Sequence, residues 1–280
     1  MKIALFLNIQ KNQAKTIGLG IQKFLTSHGV DIYAEDQEAE ILNVIPLSTI
    51  DPASINFIIT LGGDGTILRA IHKHPEIDAP IMAINLGSLG FMADIPVSDI
   101  YPSLESLLKG HYHIQPRFMI EGYTPKDEHS YAVNEIVVHR TQNPCLVDLA
   151  IHVDGIYLNT FSADGIIIST PSGSTAYSMA AGGPILTPDL EAIVLTPICP
   201  HTLSNRPIVL MPKREITVQY LSEQRDVEVA CDGYASYKIP AGGIYTIKPS
   251  KRQFKLVNLP QHDYYLTLRT KLGWSGKLKT

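Results

Sequence analysis

Cysteine is scarce in this chain of 280 residues: Cys145, Cys199 and Cys231 are an odd number, far apart, with no CxxC pair. They encode neither a disulfide framework nor a zinc knuckle, and they fit a reducing compartment. Excess positive charge is missing too, since 23 Lys and Arg stand against 27 Asp and Glu for a net charge of -4. Such a chain has no global field for gripping nucleic acid. No apolar run approaches the roughly 20 residues of a membrane helix. The opening Met1 to Leu7 is interrupted by Asn8, Gln10 and Lys11 before a signal-peptide core could form. The expectation is a cytoplasmic protein with neither membrane nor nucleic acid as partner. Two phosphate-loop fingerprints, G-x-x-x-x-G-K-[ST] and G-x-G-x-x-G, are absent, which sets aside ordinary P-loop enzymes and standard hydride-transfer proteins. The pairs His72/His74 and His111/His113 lack acidic or Cys companions at ligand spacing, so they read as solvated or capping residues.

What is present is an ordinary globular balance, 45% hydrophobic and 18% charged, long enough for one large or two modest domains. The first 110 residues alternate strands and helices. Ile3 to Leu7, Asp31 to Ala34, Phe57 to Leu61 and Pro80 to Leu86 read as strands. Ala14 to His28, stopped by Gly29, Ile67 to His74, and Ser98 to Lys109, with Ser98 as N-cap and Gly110 as stop, read as helices. That alternation predicts parallel strands with crossover helices. After about residue 113 the rhythm becomes short strands between turns: Ala132 to His139, Leu146 to Val153, Ile166 to Thr170, Ile208 to Met211, Ile216 to Tyr220 and Val227 to Ala230. One helix follows Pro171-Ser172-Gly173-Ser174. The expected architecture is an α/β domain with a Rossmann-like parallel sheet over 1–113, a β-rich domain over 114–258, and a tail, 259–280, that packs back on the first.

Gly62-Gly63-Asp64-Gly65-Thr66 lies between a strand and a helix, where an α/β fold places ligands. Glycines let backbone amides approach phosphate oxygens, and the helix start adds a favourable dipole. An aspartate there repels phosphate, which makes sense if Asp64 takes a proton from a hydroxyl or helps hold Mg²⁺. A plain turn with Asp64 as a cap is the competing reading. Four Asp-Gly pairs occur, of which Asp154-Gly155 reads as a simple hairpin turn, while Asp64-Gly65, Asp164-Gly165 and Asp232-Gly233 stay open. Asn85 to Phe91 carries glycines for another close backbone approach, with Asn85 fixing the turn. Asn134-Glu135 interrupts an apolar run, so one of the pair is expected to point inward and need partners, or both to be solvated on an edge strand. From Asp164 to Tyr177 a buried strand leads into small hydroxyl residues that could expose amides to an anion, with Tyr177 available to a nucleotide. A serine hydrolase is disfavoured, because no G-x-S-x-G elbow exists.

Taken together, GGDGT at 62–66, NLGSLGF at 85–91, NE at 134–135, DGIIISTPSGSTAY at 164–177, AGGPI at 181–185, PHTLSNRPIVL at 200–210 and DG at 232–233 resemble the NAD kinase family in order and over nearly the whole chain. The resemblance implies transfer of the γ-phosphoryl group of ATP to the 2′-hydroxyl of the adenosine ribose of NAD. It implies a divalent cation, Mg²⁺ first, with metal contacts unassigned, a homo-oligomer (dimer or tetramer) and a site between the domains. By the family pattern Asp64 is the general base, and Gly62, Gly63 and Thr66 form the phosphate loop with Gly65 against the nucleotide. Arg69 is a phosphate partner, and Asn134 and Glu135 hold ribose hydroxyls or the phosphate region. Asp164 contacts the nicotinamide side, Thr175, Ala176 and Tyr177 bind the adenine half, and Tyr234 lines a neighbouring wall. Cys145, Ser162, Ser178, Met179 and Ala180 complete the nucleotide-binding set.

One position departs from a common family form: Ser162 stands where a basic residue is frequent, two places before Asp164. Less positive charge at the nicotinamide end predicts measurable phosphorylation of NADH. Two rivals share parts of the pattern. A lipid kinase would need an apolar acceptor pocket or an amphipathic anchor, which is not seen. A non-catalytic dinucleotide sensor would have little use for an intact Asp64.

Overall fold

Lys2–Leu7 (β1), a run of apolar residues buried on both faces, pairs in parallel with Asp31–Ala34 (β2) on one side and Phe57–Gly62 (β4) on the other. Strands covered on both faces by helices need continuous apolar character, and these have it. Between them run Ala14–Ser27 (α1), Asp36–Leu42 (α2) and the two-residue strand Ile45–Pro46 (β3). Asp64–Lys73 (α3), Ile81–Asn85 (β5), Ile95–Pro96 (β6), Ile100–Leu108 (α4) and His113–Arg117 (β7) follow. α1 buries Ala14, Gly18, Ile21 and Leu25, a spacing of three and four that faces one side of the helix to the sheet. It stops at Gly29, whose φ of 72° suits a residue without Cβ.

Twelve strands make the next unit: Ile120–Tyr123 (β8), His129–Ala132 (β9), Glu135–Arg140 (β10), Val147–Val153 (β11), Ile156–Ala163 (β12), Gly165–Ser169 (β13), Ile193–Ile198 (β14), Ile208–Leu210 (β15), Ile216–Tyr220 (β16), Val227–Cys231 (β17), Ala235–Ile239 (β18) and Ile244–Pro249 (β19). A one-turn helix, Tyr177–Ala180 (α5), interrupts them. They form two six-stranded sheets, ordered β15-β14-β13-β10-β17-β18 and β12-β11-β16-β19-β8-β9. Alternate residues of both sheets, among them Ile136, Leu149, Ile166, Val218 and Val229, share one buried core, as in a β-sandwich. Phe254–Asn258 (β20) and Tyr264–Leu272 (α6) then return to the first unit, where β20 joins β5 in parallel and completes the order β3-β2-β1-β4-β5-β20-β7, with β6 also paired to β5.

The structure is a computed structural model that describes residues 1–126, 128–141, 145–201, 205–212, 214–222, 226–260, 263–274 and 276. One unit is 1–115 with 255–280, the other 116–254. The return begins at Lys255, because β20 itself is already a strand of the first sheet. Part of the 200–210 motif, residues 202–204, lies outside the described residues, as do 261–262, 275 and 277–280 of the tail. Among the described residues no helix is long and apolar enough to cross a membrane.

Four expectations need correction. Ser98 is no N-cap: a short 3₁₀ turn over Val97–Asp99 precedes α4, and the Ser98 hydroxyl bonds Asp99 instead. The run Ala132 to His139 is two strands, β9 and β10, separated by a bend at Val133 and Asn134. Asn134 and Glu135 are therefore not alternating strand residues, and both are buried. The helix after Pro171 is a 3₁₀ turn, Ser172–Thr175, followed by the single turn α5.

Candidate active site

β4 delivers Gly62 and Gly63 to the start of α3. A Cβ on Gly62 would collide with the Thr66 side chain, which caps the turn by accepting from the Gly63 amide at 3.4 Å. Gly63 and Gly65 differ, since a Cβ on either would meet no atom within 4 Å. The space in front of the α3 N-terminus is open on that side.

Asp64 does not cap the helix it begins. Its carboxylate reaches the loop after β5, where Oδ2 accepts from the Phe91 amide at 2.9 Å and Oδ1 accepts from Met92 at 3.1 Å and Ala93 at 2.8 Å. Asn85 shapes that loop as the sequence indicated. Its Nδ2 donates to the carbonyls of Ser88 (2.8 Å) and Ala93 (2.9 Å), and its Oδ1 accepts from Gly87 at 2.6 Å. Gly90 is required by proximity, because a Cβ there would overlap the Asp64 carboxylate and the Ala93 carbonyl. The two glycine-rich motifs thus form one structure with Asp64 as the joint. The amides of residues 91–93 are functional groups that the sequence reading missed, and only the spacing from Asn85 to Gly90 hinted at them.

Arg69 is placed differently from its expected phosphate contact. Its Nη2 donates to the Leu7 carbonyl at 2.7 Å and pairs with Glu38 Oε1 at 2.9 Å, while Nε is buried without a partner. Glu38 Oε2 accepts from the Leu7 amide at 3.0 Å. Burial pushes the Glu38 carboxyl up, and the Leu7 amide and Arg69 draw it back. A guanidinium so engaged is first a tie between α3, β1 and α2.

In the second unit the bend at Val133–Asn134 packs against the loop after β13. Thr170 donates its amide to the Asn134 carbonyl at 2.8 Å and its hydroxyl to the Val133 carbonyl at 2.5 Å. A Cβ on Gly173 would run into the Asn134 backbone. The small hydroxyl residues close the loop on itself rather than presenting amides to an anion: the Gly173 amide goes to Thr170 Oγ1, and Ser174 Oγ donates to Pro171 and accepts from Leu186. The Gly173 and Ser174 amides are therefore engaged within the loop and not offered to an anion. Thr175 is buried with its hydroxyl on the Ser172 carbonyl, and Ser178 is buried against Thr196 at 2.9 Å. Ala176 and Met179 are half-buried, while Tyr177 and Ala180 are exposed.

Two side-chain atoms at the bend stand out. Asn134 Oδ1 and Glu135 Oε2 are buried and have no hydrogen-bond partner. An orphaned buried acceptor is costly, and a ligand hydroxyl or amino group would relieve it. Burial first, then the nearby Asp232 charge, push the Glu135 carboxyl up to about 8 against one lowering bond from the Tyr177 amide. At the other end of β10, Asp164 Oδ1 accepts from Arg140 Nε at 2.6 Å. Both line a cavity of about 450 Å³ with His139, Thr141, Tyr177 and Ile198. Arg140 and His139 had no sequence signal. Ser162, half-buried on β12, lies across the ladder from Asp148. Tyr234 is exposed in the β17–β18 turn, and Cys145 is exposed beside the undescribed residues 142–144. A second cavity, about 630 Å³ around Glu35, Lys73, His74 and Glu76, contains none of the motif residues.

Comparison with known proteins gives a consistent result. The model of the ATP-NAD kinase N-terminal domain matches residues 3–112, and that of the ATP-NAD kinase C-terminal domain matches 133–259. The NAD kinase of Protochlamydia amoebophila is 61% identical over 277 residues, covering 99% of both chains. That of Geotalea daltonii is 37% identical over 282 residues, again covering 99% of both. Among solved structures, a yeast NADH kinase complexed with NADH superposes with a TM-score of 0.90 at 23% identity, covering 100% of this chain and 89% of the other. An NAD kinase from Archaeoglobus fulgidus in complex with ATP has a TM-score of 0.78 at 26% identity, covering 99% of this chain and 100% of the other.

Proposed function

The chain belongs to the NAD kinase family, and from that premise we propose how its residues divide the phosphorylation of NAD by ATP. Asp64 is the general base that takes the proton of the 2′-hydroxyl of the adenosine ribose. The observation that carries this role is the three-amide grip on its carboxylate. A carboxylate offers about four acceptor positions. Three are taken by fixed backbone, which immobilises the group and leaves one position, on Oδ2, for a hydroxyl. A ribose hydroxyl is a poor nucleophile at neutral pH, so a positioned acceptor is worth about 10²–10⁴ in rate.

Phosphoryl transfer otherwise asks for positioning and charge neutralisation. Gly63 and Gly65 leave the start of α3 clear for phosphate oxygens. Asn134 and Glu135 carry buried acceptor atoms suited to ribose hydroxyls or the adenine edge. Asp164 with Tyr177 lines the cavity assigned to the nucleotide. Mg²⁺ fits as an ion carried mainly by ATP phosphates, because the described residues hold no cluster of three potential ligands, and Mg²⁺ typically keeps few protein contacts. Bound there, it would screen phosphate charge. A cytoplasmic homo-oligomer, dimer or tetramer, completes the proposal; size-exclusion chromatography with light scattering tests the oligomer.

The assay is purified protein with NAD, ATP and Mg²⁺ coupled to an NADP-specific dehydrogenase. Signal that needs both substrates and is lost in Asp64→Asn supports the assignment. Turnover of Asp64→Asn within a few-fold of the native enzyme removes Asp64 as base. NADH is proposed as a second acceptor, because Ser162 places no cation at its position and faces Asp148. Initial rates with NADH beside NAD decide this, and no detectable phosphorylated NADH ends the idea.

A further inference from the structure

Two Asp-Gly hairpins in the second unit share one backbone geometry and use it differently. Asp154 and Gly155 have φ of 51° and 77°, and Asp232 and Gly233 have 50° and 74°, the paired left-handed values of a tight hairpin turn. The Asp154 carboxylate meets Arg214 and accepts from a single amide, that of Glu215 at 2.9 Å, about sixty residues further on. The Asp232 carboxylate reaches about a hundred residues back along the chain. Its Oδ2 accepts from the Val133 amide at 2.7 Å, and its Oδ1 accepts from Asn134 at 2.8 Å and Glu135 at 3.0 Å. The Asp232 amide in turn donates to the Glu135 carbonyl at 3.0 Å.

Three consecutive amides pointing to one side are what a bend between strands produces, and no ladder can satisfy them there. Asp232 supplies the missing acceptors from within the protein. The two residues whose amides it holds on Oδ1 are those whose side chains carry the orphaned buried atoms, Asn134 Oδ1 and Glu135 Oε2. We infer that Asp232 is a positioning residue for the dinucleotide, its carboxylate fixing the Val133–Glu135 bend so that Asn134 and Glu135 are aimed at bound NAD. This rests on the assignment of those two residues to NAD made above.

The same charge has a second consequence. Glu135 is faced by the Asp232 carboxylate from the β17–β18 turn, by the Tyr177 amide from α5 and by Ser169 across the ladder on β13. Buried beside an anion, Glu135 keeps its proton near neutral pH. It then offers NAD a hydrogen-bond donor as well as an acceptor, while Asn134 Oδ1 accepts.

The test is steady-state kinetics of Asp232→Asn, Glu135→Gln, Glu135→Ala and Asn134→Ala across pH 6 to 9, with Asp154→Asn as the control turn. The expected result is a KM for NAD raised about 100-fold in Asp232→Asn, with the KM for ATP changed far less. The alkaline loss of activity begins about one pH unit lower in that variant, since the charge that keeps Glu135 protonated is gone. Glu135→Gln loses this alkaline limb and retains about tenfold more activity than Glu135→Ala. A KM for NAD in Asp232→Asn no higher than in Asp154→Asn, while Glu135→Ala raises it, overturns the positioning role alone. Unchanged NAD affinity in both Glu135→Ala and Asn134→Ala overturns the assignment and this inference with it. Should Asp232→Asn fail to fold, Asp232→Glu, which keeps the charge but displaces the carboxylate, takes its place, and an unchanged KM for NAD there overturns the positioning role.

Discussion

The Ala93 amide donates to Asp64 Oδ1 at 2.8 Å, joining motifs that stand almost thirty residues apart. With the Phe91 and Met92 amides beside it, this bond makes the general base a fixed part of the loop after β5. In Asp64→Asn the amide oxygen can still accept from two of these groups, but the side-chain nitrogen then faces a backbone donor. Turnover is expected to fall by about 10²–10⁴. NAD binding by calorimetry should persist and the melting temperature should drop by a few degrees. Native turnover, or loss of NAD binding with the fold intact, would each contradict the role given to Asp64.

The glycines of the β4–α3 turn and of the loop after β5 separate into two kinds, and substitution should reveal it. Gly62→Ala and Gly90→Ala put a methyl into the Thr66 side chain and into the Asp64 carboxylate, so both should destabilise the first unit. Gly63→Ala and Gly65→Ala meet no protein atom within 4 Å. Inside a helix, replacing Gly65 by Ala even favours the fold by up to about 1 kcal/mol. A raised KM for ATP in these two, at unchanged or higher melting temperature, would show that phosphate rather than protein requires the missing Cβ. A native KM for ATP in both would deny that phosphates approach there.

The layout was legible in the sequence where local pattern and tertiary role agree. β1, β4 and β5 are buried apolar runs, β16 alternates buried and half-buried residues, and α1 has a three-and-four spacing with Gly29 as its stop. α2 passed unread because Asp36–Leu42 is seven residues with only Ala39 and Leu42 as buried apolar positions. Glu38 is buried among them, and nothing in the local sequence marks it. The bend at Asn134 was illegible for a different reason. Nothing local marks it, since its hydrogen bonds come from Asp232, far along the chain. The same holds for the amides that grip Asp64. Asp64, Asn134 and Glu135 stood out in the sequence by their side chains, while the backbone amides that hold Asp64 and the Asp232 carboxylate that holds the bend became visible only in three dimensions.

Glu38 illustrates the energetic side of that difference. It is almost completely buried, and it holds both the Leu7 amide and Arg69, whose side chain is about a third exposed (32%). Glu38→Ala removes one half of a largely buried pair and leaves Arg69 with Nε already lacking a partner. The cost should be about 3 kcal/mol, toward the low end for such pairs because Arg69 is partly screened by solvent. Denaturant titration measures it. A loss below about 0.5 kcal/mol would mean that the pair adds little beyond what water supplies.

Stability should also fall with rising pH in a way assignable to Glu135. Its carboxyl is raised to about 8 in the folded protein, by burial first and then by Asp232, against an ordinary 4.5. Below pH 4.5 it is protonated in both the folded and the unfolded chain, and its contribution is fully present. Between 4.5 and about 8 the folded protein keeps a proton that the unfolded chain has released, so stability is lost through that window and levels off above it. Glu38 is shifted in the same direction, so the native slope alone is not diagnostic. The difference between native protein and Glu135→Gln is diagnostic, because Gln cannot titrate. The native melting temperature should decline by about 10 °C more than that of Glu135→Gln between pH 5 and 8. Parallel slopes for the two proteins would mean that Glu135 is ionised in the folded state at neutral pH. In that case it meets NAD as an acceptor only.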